Sequence, residues 1–425
     1  MKRTALLWLL ALLLAAACSP NNPAPAEYPE PTQSPLPAST VSAVQATPTR
    51  EGPVTLRIWL PPEFDPDSGS EAGTLLANRL SAFSARRPDV RLEIRIKALD
   101  GPGGMLDSLT AAHAAAPLAL PDLVVLPRHT LEAATLKGLL HSYDSLNMDL
   151  DDPDWFGFAQ QMALVKNRVY GIPFAVDPLI LVNRTTTIPA PPRNVTDTLA
   201  LKSTLAFPAA DPQALFILAQ YRQMGGALLD EQDRPSLDVA LLSKLLTYYQ
   251  DYARAEITPF WLTQYQTDAQ AWQAYTDSQV DLVVTWASRY LKDKPANSMA
   301  APLPMPDGQA YTLAHGWAWA LVSTNPEAQR LSVELVEFLT ESDFMAAWSQ
   351  SAGYLPARAS ALASWQSDIP VEMGAEILNS AELIPPADVL NILGPPLQIA
   401  TAEILKQITD PLTAAQNAAE KLEKP

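Results

Sequence analysis

The chain has 425 residues, with 29 Lys and Arg against 46 Asp and Glu, and a net charge of −17. That acidity argues against the basic patches that nucleic-acid binding needs. The one cysteine lies near the N-terminus, so disulfides, cysteine metal sites and cysteine nucleophiles are excluded from the rest of the chain.

Met1-Lys2-Arg3 is a short basic start. The apolar stretch 5–17 behind it falls short of the ~20 residues of a membrane span. Together they read as a secretory signal peptide. Cys18 follows Ala15-Ala16-Ala17 directly, which looks like a bacterial lipoprotein signal whose cysteine becomes the lipidated first residue. The usual pattern has Leu three positions before that cysteine, whereas Leu14 lies four before. The other reading is an ordinary signal peptide that contains a cysteine. Residues 18–53 then hold Cys18 and a segment of mostly Pro, Ala, Ser, Thr and Glu. Such a composition cannot bury a core and reads as an extended tether, on the order of 100 Å in polyproline II.

About 370 residues follow, a length that suits two domains or lobes. VTLRIW at 54–59 alternates as a strand, Leu75, Leu76, Leu80 and Phe83 have helical spacing, and 90–96 is a second strand. A turn at 101–104 leads to a helix at 105–115 and a strand at 121–126. Strand, helix, strand, helix, strand is the alternation of an α/β lobe with a mostly parallel sheet. Residues 130–140 are helical. Asp149, Asp151 and Asp152 lack the Gly and distal Glu of a calcium loop and read as a solvated turn.

Residues 169–184, VYGIPFAVDPLILVNR, organise the centre of the chain. The run 179–182 has the aliphatic content of a strand buried on both faces, and Pro173 and Pro178 keep it from being a helix. Asp177 sits alone among apolar neighbours. It is either a surface residue in a turn or an acid facing a binding cleft, because a buried carboxylate is costly without a partner. Further on, helices are expected at 213–224, 241–253, 272–278, 326–340 and 343–351, and strands at 280–286 and 315–321. A helix at 376–383 follows. Gly394-Pro395-Pro396 reads as a break before a helix at 397–408, and Asp410-Pro411 opens a last helix to 424.

The order of several short motifs resembles the extracellular solute-binding proteins of ABC importers, in particular the sugar-binding, maltose-binding-protein-like family. They are Phe83 to Val90, Pro121-Asp122-Leu123-Val124, Gly138-Leu139-Leu140, Tyr170-Gly171-Ile172-Pro173, Gly225-Gly226, Trp286 after a strand, the strand through Trp317, and Gly353-Tyr354-Leu355-Pro356-Ala357-Arg358. The Thr-Trp that family members carry after their central strand is missing at 191–196. The resemblance implies a type II periplasmic-binding-protein-like α/β fold of two lobes joined by a hinge, with ligand between them. Lobe 1 is expected at 54–126 with 301–340 and lobe 2 at 127–300 with 341–425. The chain would cross between them near Leu126, at 295–301 and near Thr340.

A sugar offers apolar faces and a rim of hydroxyls, which suit aromatic rings and carboxylates, amides or Arg. Of ten Trp, the resemblance places Trp59, Trp286 and Trp317 in cleft-forming segments, with Tyr354, Asp177 and Arg358. Trp319 and Trp348 are expected in the core. His129 and His315 are within reach of the cleft but read as structural. The implied partners are a small solute, ABC permease subunits and the membrane through the lipid anchor. A monomer outside the cytoplasm is expected, with no cofactor, metal or nucleic acid.

Neither a G-x-S-x-G, a His-Glu-x-x-His nor a phosphate-cradling Gly loop is present. Capture without chemistry is therefore expected. A secreted glycan-acting enzyme remains open, because the spacing of paired acids is three-dimensional, and so does a tethered adhesion or structural lipoprotein.

Overall fold

The computed structural model describes residues 52–146 and 150–423. The signal peptide, Cys18, the tether up to residue 51 and Asp149 lie outside the described residues. β1 (Val54–Leu60), α1 (Glu71–Arg86), β2 (Val90–Ile96), α2 (Met105–Ala115), β3 (Leu123–Pro127) and α3 (Arg128–Leu136) open the fold. β1 runs parallel to both β2 and β3. The alternation of β1 and β3 explains the two layers over them. Leu56, Ile58, Leu60, Leu123 and Val125 join one core with Leu76, Leu80 and Phe83 of α1. Trp59, Val124 and Leu126 point the other way and join Met105 and Leu109 of α2 and Leu131 of α3.

α4 (Gly157–Ala163) and the short β4 (Leu164–Val165) and β5 (Arg168–Val169) lead to β6 (Ile172–Arg184). β6 is buried from Ile172 through Asn183, which includes the apolar run 179–182 expected to be buried on both faces. The next elements are α5 (Val195–Leu201), β7 (Leu205–Ala206), α6 (Leu215–Gln223), α7 (Val239–Arg254), α8 (Asp268–Thr276), β8 (Leu282–Trp286), α9 (Ala287–Asp293) and β9 (Ser298–Ala301). β10 (Thr312–Leu321), α10 (Pro326–Leu339), α11 (Ser342–Ala352), β11 (Leu355–Pro356), α12 (Ala359–Ala363), α13 (Val371–Asn379), β12 (Ala381–Leu383), α14 (Ala387–Leu405) and α15 (Pro411–Glu423) complete it.

The main sheet has the order β2-β1-β3-β10-β6-β8-β7. β6 holds its two halves together by changing partners. Ile172 to Pro178 pair with β10, whereas Leu179 to Asn183 pair with β8. Pro178 stands at that change, where a missing backbone donor is best tolerated. β10 does the same, pairing with β12 at Thr312 to Ala314 and with β3 at Trp317 to Leu321. The ladder therefore changes partners within β6 and β10. Leu126 pairs with Ala318 one residue from the end of β3, and Thr340 caps α10. A strand that exchanges partners midway keeps one uniform apolar pattern, so composition does not mark the exchange. A bulge beside Trp317 leaves Phe174 unpaired: Trp317 faces Ala175 and Ala318 faces Pro173.

Two C-terminal expectations are corrected. The stretch 376–383 is not one helix: α13 ends at Asn379 and β12 adds a parallel strand to β10. Gly394-Pro395-Pro396 does not break the chain, since α14 runs through it. The prolines forgo the amide bonds to Asn391 and Ile392, which are both exposed, so water can serve those carbonyls. Gly394 is needed for contact: a Cβ there would lie 2.1 Å from the Pro212 carbonyl oxygen. Among the described residues no helix is long and apolar enough to cross a membrane.

Candidate functional site

A cavity of about 410 Å³ opens where the two halves of the sheet meet, within the ~300–1,000 Å³ of ordinary small-molecule sites. One wall is the start of α3, with Arg128, His129 and Glu132 beside Leu99. The floor is β10, with Ala314, His315 and Trp317. The far wall is Gln213 and Leu215 before α6, Trp286 at the end of β8, and the segment from Leu383 to Leu390 that enters α14. α3 begins straight after β3, so its first turn sits at the carboxyl end of a parallel strand, where α/β sheets bind ligands.

The aromatic lining is of two kinds. Trp286 is half-buried and meets the His315 ring edge-to-face at 4.6 Å. Trp317 is only 4% exposed and packs on Phe64 at 5.4 Å, so it serves core and cavity at once. Trp319 and Trp348 are fully buried, as the sequence predicts.

His315 lies opposite Asp177 in the β10–β6 ladder, with Nε2 3.7 Å from the Asp177 carboxylate. Asp177 also accepts the backbone N–H of Ser288, 2.8 Å away at the start of α9. Burial raises the Asp177 pKa, opposed by His315 and by Ser288. Burial lowers that of His315, opposed by Asp177. Both groups shift towards their neutral forms. Arg128 has Glu132 at 3.8 Å, and its Nη1 is buried without a hydrogen-bond partner. Burial lowers its pKa and Glu132 opposes that, but a guanidinium stays charged. The cavity thus offers two indoles, one guanidinium, two imidazoles, an amide and a carboxylate.

Of the residues singled out from sequence, Trp286 and Trp317 line this cavity. Asp177 lies behind His315 and is 3% exposed. Trp59, Tyr354 and Arg358 are not among the residues that line it. Trp59 is covered by α2, with Lys97 Nζ 4.8 Å from its ring. Tyr354 stacks on Trp348 at 6.3 Å. Arg358 stands 3.9 Å over Trp155 and pairs with Asp154 at 3.2 Å and Asp152 at 3.6 Å. Arg358→Ala is therefore expected to lower the melting temperature, at a cost of about 1–3 kcal/mol, and to leave ligand affinity unchanged. Calorimetric titration of the variant checks both halves.

Sequence reasoning missed Arg128, Glu132, Gln213 and the Leu383–Leu390 wall, and it read His129 and His315 as structural although both line the cavity. A polar pair directly after β3, Arg128-His129, is the signal that could have revealed the first of these.

The sign of the His315 shift gives a further expectation. A folded-state pKa below the unfolded value contributes stability above the unfolded pKa, near 6.5, and loses it as pH falls through the folded value. Asp177, shifted up, works in the opposite sense as pH rises through its folded value. Melting temperature should therefore fall below about pH 6.5, and His315→Gln should flatten that decline. Equal slopes between pH 7 and pH 5 would remove His315 as its cause.

An α/β scaffold whose halves are joined through shared strands, with a cavity where they meet, has the architecture of a binding protein. The chain belongs to the bacterial extracellular solute-binding proteins, whose family model matches residues 80–373. It is a solute-binding protein of the extracytoplasmic space. In fold it is similar to the cyclic alpha-maltosyl-1,6-maltose binding protein of Arthrobacter globiformis, at 15% identity, covering 87% of this chain and 98% of that one, with a TM-score of 0.71. It is similar also to the sugar-binding protein MalE of Xanthomonas citri, at 19% identity, 87% and 98% coverage and a TM-score of 0.68. A third is the GacH receptor of Streptomyces glaucescens, at 17% identity, 88% and 100% coverage and a TM-score of 0.63. These likenesses show the type II periplasmic-binding-protein fold. No curated protein sequence matches the chain.

Proposed function

We propose that the protein captures a sugar or oligosaccharide outside the cytoplasm and hands it to the permease of an ABC importer. The observation that carries the reading is the cavity between the sheet halves, with the half-exposed Trp286 ring among Arg128, His129, Gln213 and His315. A ring suits the apolar face of a pyranose and the polar groups suit its hydroxyls. The neighbours named above, and a cyclo/maltodextrin-binding protein complexed with maltotetraose, support this choice of solute. The lobes close on the solute by bending where β6 and β10 change partners, and the closed form is what the permease reads. Cys18 carries the lipid that anchors the mature chain, with the following segment as tether. More than one acyl chain is needed for stable anchoring, and Cys18→Ser should release the protein from membranes.

A thermal-shift screen of mono- and oligosaccharides tests the reading. A hundredfold excess over Kd stabilises by about 2.7 kcal/mol, so the right sugar raises the melting temperature and is recovered intact. A rise with amino acids or peptides and none with sugars overturns the choice of solute. Recovery of a cleaved sugar overturns capture without chemistry.

A further inference from the structure

Asp177 and His315 meet on adjacent strands, but only one of them sees solvent. Of the Asp177 side chain 4% is exposed, against 34% for His315. His315 lines the cavity and Asp177 does not, so water reaches the pair through the cavity. The strands beneath are in close contact. A Cβ on Gly316, the next residue of β10, would stand 2.4 Å from the Ala175 carbonyl oxygen. A change of charge on His315 is therefore answered by its ring, not by its backbone. A charge-assisted hydrogen bond is about 2.7–2.9 Å long, so a protonated ring would close most of the 3.7 Å gap to Asp177. Its contact with Trp286, at 4.6 Å, would change with it.

The charged groups around His315 come from several elements. β6 brings Asp177, which also holds the Ser288 N–H of α9 and feels Lys292 of that helix. α3 brings Arg128, His129 and Glu132 to the same cavity. Tyr354, before β11, feels the Asp177 charge. Glu382 of β12 is engaged by Arg222 and by the Tyr311 hydroxyl. Gln213, Leu215, Trp286 and the approach to α14 line the cavity with uncharged residues. A proton on His315 is thus favoured by Asp177 and opposed by the cationic side of α3. A solute in the cavity shifts this balance. It displaces the water that solvates an imidazolium, and lost water disfavours the charged form. By linkage, the proton then weakens the solute by the same factor.

We propose that His315 makes solute capture proton-dependent: the solute binds the protein with a neutral His315 and is released as that ring takes up a proton and turns towards Asp177. This rests on the sugar-capture reading and adds a regulation of the same site. Asp177 acts through His315 as a positioning residue. Burial already holds the His315 pKa below its ordinary 6.5, so the dependence falls below about pH 6.5.

Glucose, maltose and maltotetraose serve as probes, because neutral sugars do not themselves titrate there. Each is titrated calorimetrically into the protein between pH 8 and pH 5. A one-unit difference in the His315 pKa between free and bound protein is tenfold in affinity. The expected result, for each sugar that binds, is level affinity down to pH 7 and binding about three- to tenfold weaker at pH 5. Near pH 6, heats compared in two buffers of different ionisation enthalpy should show protons released on binding. His315→Gln should lose most of the decline, and His129→Gln should keep most of it. Asp177→Asn keeps an acceptor for Ser288 and removes the charge that favours the proton, so its decline should begin at lower pH. The proton count needs only the unsubstituted protein and decides the matter even where a variant fails to fold. Affinity that is level across the range, binding that tightens in acid, or proton uptake on binding overturns the proposal and leaves sugar capture standing. So does a decline that survives His315→Gln in full. No binding of the three sugars at any pH overturns sugar capture and this proposal together.

Discussion

Trp286→Ala is expected to lose ligand but little stability, Trp319→Ala to lose stability but not ligand, and Trp317→Ala to lose both. Trp319 is fully buried and Trp317 is 4% exposed, and both rings pack on Phe64, at 6.2 and 5.4 Å. Removing such a ring from a core costs about 3–5 kcal/mol of folding free energy. Trp286 is only half-buried and is held by His315 on one edge, so its loss leaves a much smaller void. It is instead the ring most open to a solute, and an anchor of that kind is worth about 2 kcal/mol or more, roughly thirtyfold in Kd. At a ligand concentration that gives the unsubstituted protein about 2.7 kcal/mol, a thirtyfold weaker variant retains about 0.9 kcal/mol. Melting temperatures with and without the best sugar from the screen therefore separate the three substitutions. If Trp286→Ala melts early and keeps the full ligand shift, the ring is a core residue and the site is wrongly placed.

The split between Trp286 and Trp317 marks where sequence ceased to be informative. Both were legible as aromatic residues at the end of, or within, a strand near the cleft, and both line it. That one is nearly sealed by Phe64 is a fact about the short 3-10 turn Pro62–Phe64 meeting β10, more than 250 positions away, and no local pattern reports it. The longer strands β1, β2, β3, β6, β8 and β10 were legible because burial of alternate or consecutive aliphatic residues repeats within a few positions. β6 shows this best, since the apolar run 179–182 gave its double burial, although the strand begins earlier, at Ile172. Arg358 shows the converse. Its motif stood in the right order, yet its partners Asp152 and Asp154 lie about 200 positions earlier, where no local pattern reports them. The cavity is composed of short pieces from α3, the α6 approach, β8, β10 and the α14 approach. Each piece is unremarkable alone, so Gln213, Glu132 and the Leu383–Leu390 wall carried no signal.

Gly394 and Pro395 are expected to respond to alanine with opposite signs, although they are adjacent. A Cβ on Gly394 would stand 2.1 Å from the Pro212 carbonyl oxygen and 2.8 Å from the Gln213 Cα. Both are backbone atoms, so no side chain can rotate away, and α14 or the loop before α6 must shift. Overpacking of this kind costs about 1–3 kcal/mol, and the shifted loop carries Gln213 and Leu215, which wall the cavity. Gly394→Ala should thus lower the melting temperature and also weaken sugar binding, although residue 394 touches no ligand. Pro395 is exposed and lies inside the helix without an N–H for the Asn391 carbonyl. Alanine restores that donor and removes a residue that costs an ideal helix interior about 3 kcal/mol, so Pro395→Ala should melt at or above the unsubstituted protein with affinity unchanged. Thermal melts and one titration of each variant decide the matter. Unchanged melting and affinity in Gly394→Ala would mean that α14 does not press on the approach to α6, and the far wall of the cavity would then owe its position to something else.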